Sequence, residues 1–242
     1  MIVGRFAPSP TGPLHLGSLV AALGSYILAK RRGGRWLVRV EDLDTPRVVV
    51  GAAEGILETL RRYGLNWDGE VVYQSQRVAL YEQALRVLRA KRFVYDCGCT
   101  REELCRCRNG LRPGRMARSV RFRMPDGLIA FDDRLKGQIE MGSGDFIVKR
   151  ADGIFAYQLA VVVDDAEQGV TQVVRGEDLL DSTPRQIALQ RALGLPTPEY
   201  AHVPLARNAD GTKISKRDGA VPLDPNRVEE TLEKAYDILG FR

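Results

Sequence analysis

The sequence predicts an α/β fold in which a parallel sheet is covered by helices and interrupted by a smaller α+β segment. Three observations carry this. The first ninety or so residues alternate short apolar stretches with runs of helical periodicity; all four cysteines then fall between Cys97 and Cys107, where the alternation stops; and it resumes after about residue 155.

Residues 2–6 form an apolar strand candidate that ends at Ala7-Pro8-Ser9-Pro10-Thr11-Gly12-Pro13, where three prolines and a glycine exclude regular structure. Leu16, Leu19, Val20, Leu23 and Ile27 share one helical face, and that helix stops near Gly33-Gly34. Residues 36–40 predict a second strand closing on Glu41-Asp42. Two helices follow, one through Ala53, Ile56, Leu57 and Leu60 to Gly64, the other opened by Ser75 with Tyr81, Leu85 and Leu88 on one face.

A Cys/Arg-rich segment comes next, with strand-like pieces at 119–123, 128–131, 138–141 and 146–149. Residues 160–163 read as a buried strand and 170–174 as another, stopping at Arg175-Gly176-Glu177-Asp178. Thr183-Pro184-Arg185-Gln186 has the form of a helix start, with Thr183 as cap, and its helix ends at Gly194. A last helix, capped by Asp224 and opened by Pro225, turns Val228, Leu232, Ala235 and Leu239 inward. The expected organisation is 1–93 and 156–242 as two halves of one domain, with 94–155 inserted between them.

Composition narrows the class. With 44% hydrophobic residues and a net charge of +5 over 242 residues, the chain is not a disordered tail. No apolar run approaches the roughly 20 residues that cross a bilayer, and Met1-Ile2-Val3-Gly4-Arg5 lacks the basic and apolar parts of a signal peptide, so a cytoplasmic, membrane-free protein is expected. A core of this size needs no disulfide staples, which leaves the cysteines to be explained otherwise. Arginine outnumbers lysine 29 to 7. Guanidinium forks well onto phosphate, although a genome biased toward arginine accounts for most of the excess equally; the balance permits an RNA partner without requiring one.

Ligands of open parallel sheets lie beyond the carboxyl ends of the strands. Arg5 and Ser9 flank the end of the first strand, Glu41 ends the second and Arg175 ends a late one, while His15-Leu16-Gly17-Ser18 opens the first long helix. There a phosphate can approach free amides, Gly17 admits a ribose or adenine ring, and His15 can donate to phosphate. Each feature alone has a plain alternative, such as an Arg5–Glu41 salt bridge. A second element strengthens the pattern: Asp210-Gly211-Thr212 leads into Lys213-Ile214-Ser215-Lys216-Arg217, two ammonium groups on a Gly/Ser-bearing loop suited to close over a triphosphate.

Arg5-Phe6-Ala7-Pro8-Ser9-Pro10-Thr11-Gly12-Pro13-Leu14-His15-Leu16-Gly17-Ser18 together with Lys213-Ile214-Ser215-Lys216-Arg217 resembles the HIGH and KMSKS signatures of the class I glutamyl-tRNA synthetases. Arg39-Val40-Glu41-Asp42-Leu43-Asp44 and Val174-Arg175-Gly176-Glu177-Asp178-Leu179-Leu180 are similar to further blocks of that family. Ser18 stands where HIGH ends in histidine, and Ile214 and Arg217 are variants of KMSKS. The resemblance implies a Rossmann-like class I synthetase catalytic domain with a small inserted zinc-bearing α+β subdomain. It implies that Arg5, Arg175 and the Tyr157 hydroxyl hold the side-chain carboxylate of glutamate, that Ser9 and Glu41 take the α-ammonium, and that Ala7 lines the same pocket. ATP with Mg²⁺ falls to His15, Gly17, Ser18 and Lys216, with His15, Lys213 and Lys216 catalytic. The α-carboxylate of glutamate then attacks the α-phosphorus, so no protein nucleophile is needed. Asp165 and Asp42 are candidate bases for a later transfer step.

Only 25 residues follow Arg217. Members of the family that charge tRNA continue well past KMSKS, so the expectation is its truncated branch, which attaches glutamate to the queuosine base at the wobble position in the anticodon stem-loop of tRNA(Asp). Gly24-Ser25-Tyr26 and residues 155–165 are similar to that branch. A monomer is expected. The alternatives are a minimal synthetase charging the 3′ end of tRNA(Glu), and an inactive zinc-bearing RNA-binding module, against which stand the intact His15 and Lys216.

Cys97-Gly98-Cys99 and Cys105-Arg106-Cys107 sit within eleven residues, a clustering suited to one tetrahedral zinc. In the family the later ligands usually include a tyrosine and a cysteine further on, where this chain has Arg112 and Met116. Either Cys105 and Cys107 replace them or the metal is absent. The arginines between Arg101 and Arg118 give this segment a basic surface, useful against tRNA phosphates or simply for solubility.

Overall fold

The computed structural model describes residues 1–100, 107–111, 113–207 and 221–241. Strand β1 (Val3–Phe6) is buried along its whole length and leads through the proline-rich turn into helix α1 (Leu16–Lys30). His15 caps that helix: its Nδ1 accepts from Ser18 N at 3.3 Å, and Ser18 Oγ accepts from His15 N at 3.4 Å. Strand β2 (Arg35–Val40) returns parallel to β1, with Val3 opposite Arg35 and Phe6 opposite Val38. The return is tight enough to need glycine, since a Cβ on Gly34 would lie 2.6 Å from Ile2 O.

Helix α2 (Ala52–Arg62) crosses to strand β3 (Val72–Tyr73), which adds parallel to β2. Helix α3 (Val78–Ala90) follows a 3-10 turn at Gln74–Arg77, so the helix proper begins later than Ser75. Strands β4 (Val94–Cys97), β5 (Ser119–Phe122) and β8 (Phe146–Lys149) make a separate antiparallel sheet in the order β4-β5-β8. The hairpin of β6 (Ile129–Asp133) and β7 (Gly137–Met141) does not join it. Instead β6 runs parallel to β10 (Glu199–Val203), which pairs in parallel with β9 (Gln172–Gly176), giving the order β7-β6-β10-β9.

One predicted strand is corrected. Residues 160–163 lie in helix α4 (Tyr157–Glu167), whose residues Leu159 to Asp165 are all buried. A helix covered on every side produces the same unbroken apolar run as a buried strand, and the consecutive Val161, Val162 and Val163 imitate β-branched strand composition. Strand β10 is not evident in the sequence, where Glu199 opens it and His202 interrupts its apolar residues. Helix α5 (Thr183–Leu193) ends as expected at Gly194, which adopts φ 72°. Helix α6 (Val228–Leu239) starts after Asp224, whose Oδ1 accepts from Asn226 N at 2.8 Å in a preceding turn.

The parallel sheet of β1 to β3 meets the mixed sheet where β1 lies beside β9: Thr171 N donates to Val3 O at 2.9 Å, and Val3 N to Thr171 Oγ1 at 2.9 Å. Around this seam one core joins Leu19, Leu23, Trp36, Ile56 and Leu60 to Ala235 and Leu239, while another joins Leu85, Leu88, Phe122, Leu159 and Ile187. Truncating one of these leucines to alanine would cost about 2–5 kcal/mol. Among the described residues, no helix is long and apolar enough to cross a membrane.

Candidate active site

The expected carboxylate ligands converge at the carboxyl ends of the central strands. Arg5 on β1 is 3% exposed. Its Nε donates to Asp165 Oδ1 at 3.1 Å, its Nη2 to Asp165 Oδ2 at 3.4 Å and its Nη1 to Val174 O at 3.5 Å. Arg5 thus pairs with Asp165 on α4, and the ion-pair partner of Glu41 is Arg39 on β2, at 3.5 Å.

Arg39, which opens one of the motif blocks, has no role that the motif assigns. Wholly buried, it donates through Nη1 to Asp165 Oδ1 at 2.8 Å and to Gln168 Oε1 at 2.7 Å, and its Nε stands 3.7 Å from Asp164 Oδ2. Asp164 is buried too, accepting from Arg77 Nε at 2.6 Å, Gln74 Nε2 at 2.8 Å and Tyr81 OH at 2.8 Å. A charged residue between Val38 and Val40, inside the apolar run that follows Arg35, is the available signal, because such a charge must be paired when buried. The site therefore rests on a ladder of alternating charge running Arg5, Asp165, Arg39 and then Glu41 and Asp164.

Electrostatics separate the carboxylates. Burial alone would raise the Asp165 carboxyl, but Arg5 and Arg39 together hold it below its ordinary range. Both of its oxygens are taken by the two guanidinium groups, so it serves as the anion that anchors Arg5 and Arg39. Asp42 is committed elsewhere, accepting from Ser75 N at 2.8 Å and Ser75 Oγ at 2.6 Å. Glu41 behaves oppositely: burial pushes it up to about 7, Arg39 and Arg5 oppose this, and Asp165 and Asp164 add to it. A carboxyl raised in the folded state holds a proton that the unfolded chain releases, so the stability it contributes falls as pH rises from about 4.5 to about 7. If the ionised form binds the amino group of an amino acid, the kcat/KM for that substrate is expected to rise as pH passes about 7. Glu41→Gln should lack this rise, and a parent profile flat between pH values of about 6 and 8 would contradict it.

Arg175 on β9 is 4% exposed and is held by protein acceptors on nearly every side. Its Nε donates to His202 Nε2 at 3.1 Å, its Nη1 to Gln186 Oε1 at 2.8 Å and to Tyr157 OH at 3.4 Å, and its Nη2 to Thr183 Oγ1 at 2.8 Å. One Nη2 hydrogen is left for a ligand among the described residues. Burial pushes the Tyr200 phenol up to about 12 and both guanidinium groups oppose this, while Arg5 Nη1 reaches the carbonyl of Val174, the residue before Arg175. Tyr157, the first residue of α4, meets Arg175 through its hydroxyl. Ser9 is exposed and Ala7 half-buried in the turn after β1, tied to Glu41 through Glu41 N donating to Pro8 O at 2.9 Å.

Gly17 and Ser18 are half-buried in the first turn of α1. Ser18 serves the helix cap, and because His15 Nδ1 accepts from Ser18 N, the imidazole proton sits on Nε2, where it can be donated. Lys213 and Lys216 lie outside the described residues, as does Cys105.

The remaining three cysteines are brought together. The Sγ atoms of Cys97, Cys99 and Cys107 all lie within 4.8 Å of one another, with Cys99 and Cys107 at 3.5 Å. Tetrahedral zinc thiolates have sulfur atoms about 3.8 Å apart, so this set can hold a metal ion. Gly98 is required between the first two, since a Cβ there would lie 2.7 Å from Met116 O. The Met116 side chain is 85% exposed. Purified protein is expected to carry close to one zinc per chain and to lose it on Cys107→Ser; folded, metal-free protein by elemental analysis would contradict this.

The chain belongs to the class I tRNA synthetases for glutamate and glutamine: the model of that catalytic domain matches residues 1–119 and 112–235. Within this class it is 55% identical, over 93% of its length and 79% of the relative's, to a protein of Geobacter sulfurreducens named glutamyl-Q tRNA(Asp) synthetase. A protein of the same name from Thiobacillus denitrificans is 55% identical over 98% of this chain and 85% of the relative. The solved glutamate tRNA ligase of Elizabethkingia meningosepticum, in complex with its amino acid, superposes with a TM-score of 0.78 at 32% identity over 90% of this chain. The chain spans about half of that ligase, 52% of its length.

Proposed function

We propose that this protein activates L-glutamate with ATP and transfers it to the queuosine base at the wobble position of tRNA(Asp). The observation that carries the amino-acid half is the pair of buried guanidinium groups at the carboxyl ends of adjacent strands, Arg5, which reaches Val174 O, and Arg175, which meets the Tyr157 hydroxyl. Two cations facing one side-chain carboxylate favour glutamate over neutral glutamine. The RNA half is supported by the names of relatives that match this chain almost end to end.

Glu41 and Ser9 receive the α-ammonium, and Ala7 lines the pocket beside them. The α-carboxylate oxygen forms a bond to the α-phosphorus of ATP, the bond to the bridging oxygen breaks, and pyrophosphate departs, leaving glutamyl-adenylate. Gly17 and Ser18 border the nucleotide at the start of α1, and His15 Nε2 donates to its phosphates. Lys213, Lys216 and Mg²⁺ offset the charge that develops on the leaving group. A hydroxyl of the queuosine cyclopentene ring then attacks the acyl carbon and adenylate leaves. Cys97, Cys99 and Cys107, with Cys105 as the fourth candidate, would hold a structural zinc in the 94–155 insertion. The protein acts as a cytoplasmic monomer.

ATP–pyrophosphate exchange in the absence of tRNA tests the first step. Exchange driven by glutamate and not by glutamine is expected. Equal exchange with both would remove the role given to the two arginines.

A further inference from the structure

His202 is the next-to-last residue of β10, directly opposite Arg175 on β9 and fully enclosed. Its Nδ1 lies 2.6 Å from Asp133 Oδ2 on β6, while its Nε2 lies 3.1 Å from Arg175 Nε and 3.1 Å from Thr183 Oγ1. An ionised carboxylate can only accept and a guanidinium can only donate. Both ends of the ring therefore demand the same tautomer, with the proton on Nδ1 and a bare lone pair on Nε2. Burial and the nearby charges of Arg175 and Lys136 outweigh Asp133 and keep the ring neutral. Tyr200, the remaining titratable neighbour, stacks on the imidazole with centroids 6.3 Å apart.

Asp133 is itself anchored. Its Oδ1 accepts from Leu135 N at 2.9 Å, Lys136 N at 3.0 Å and His202 N at 3.3 Å, leaving Oδ2 for the imidazole. The order Asp133, His202, Arg175 thus runs from the turn of the β6–β7 hairpin to the amino-acid pocket.

We infer that Asp133 and His202 are positioning residues for Arg175: the carboxylate selects the imidazole tautomer, and the tautomer fixes the plane in which the guanidinium offers its remaining Nη2 hydrogen to the side-chain carboxylate of glutamate. This rests on the assignment of Arg175 as a glutamate ligand. Asp133 and His202 touch no substrate, and neither exchanges a proton during the reaction.

Asp133→Asn gives the sharpest test. The three backbone N–H groups at Oδ1 keep the amide oxygen there, which forces the amide NH₂ against His202 Nδ1. The imidazole proton must then move to Nε2, where it opposes the N–H of Arg175, the same tautomer reversal that a triad Asp→Asn change causes in serine proteases. Glutamate KM in tRNA-independent exchange is expected to rise about tenfold or more, with ATP KM unchanged. An unchanged glutamate KM would overturn the inference, as would glutamate and ATP KM values rising together.

Should that variant fail to fold, the parent protein still decides the matter. The chain has only two histidines, His15 and His202, so ring ¹⁵N spectra are readily assigned. His202 in the Nδ1–H tautomer from about pH 6 to 8 is expected, and the Nε2–H tautomer would contradict the relay. Arg175→Ala separates the inference from its foundation. If glutamate KM responds to Arg175→Ala and not to Asp133→Asn, only the positioning role falls; if it responds to neither, the assignment of Arg175 falls as well.

Discussion

Arg39→Met is expected to destabilise the protein by about 3–5 kcal/mol at neutral pH, the cost of removing one member of a buried ion pair. Methionine replaces the volume but not the charge. Asp165 would keep Arg5, and Asp164 would keep Arg77, Gln74 and Tyr81. Glu41 would lose the guanidinium that most opposes its burial, and would titrate higher still. Equilibrium urea unfolding at pH values of about 5 and 8 should therefore show a deficit that is larger at the higher pH, where Glu41 must ionise without its partner. A variant as stable as the parent at both values would mean that the charge ladder does not depend on Arg39.

Arg175→Ala is expected to lower kcat/KM for glutamate activation by about a hundredfold or more, because it removes a desolvated partner of the substrate carboxylate. Discrimination against glutamine should collapse with it, since the neutral amide loses less than the anion does. The change also leaves His202, Thr183 and Gln186 without the donor they now share. Comparing glutamate with glutamine within the same variant separates lost charge recognition from general loosening. A uniform loss for both substrates would contradict the assigned role.

Much of this was legible in the sequence, and the reasons are local. The Pro/Gly turn after β1, the helical stripe beginning at Leu16 and the strand closing on Glu41 follow from short-range rules, and they place Arg5, Ser9, His15 and Glu41 at one end of the sheet. Three things were not legible. Residues 160–163 of helix α4 read as a strand because its buried middle, Leu159 to Asp165, shows no exposed face to reveal its period. The pairing of Asp165 with Arg5 and Arg39 was hidden because those residues are more than a hundred positions apart and meet only when α4 packs beside β1 and β2. The contact of Asp133 with His202 depends on the β6–β7 hairpin joining β10, a tertiary arrangement that no motif announces. The cysteine cluster was legible from spacing, and three of its thiols do converge.

Transfer of labelled glutamate tests the proposed function most directly. Radiolabelled glutamate and ATP are supplied with queuosine-containing tRNA(Asp), tRNA(Asp) lacking queuosine, or tRNA(Glu), and the label is mapped by ribonuclease digestion. Label confined to the anticodon fragment of queuosine-containing tRNA(Asp) is the expected result. Label on the terminal adenosine of tRNA(Glu) would contradict the account and make the protein a minimal aminoacylating enzyme.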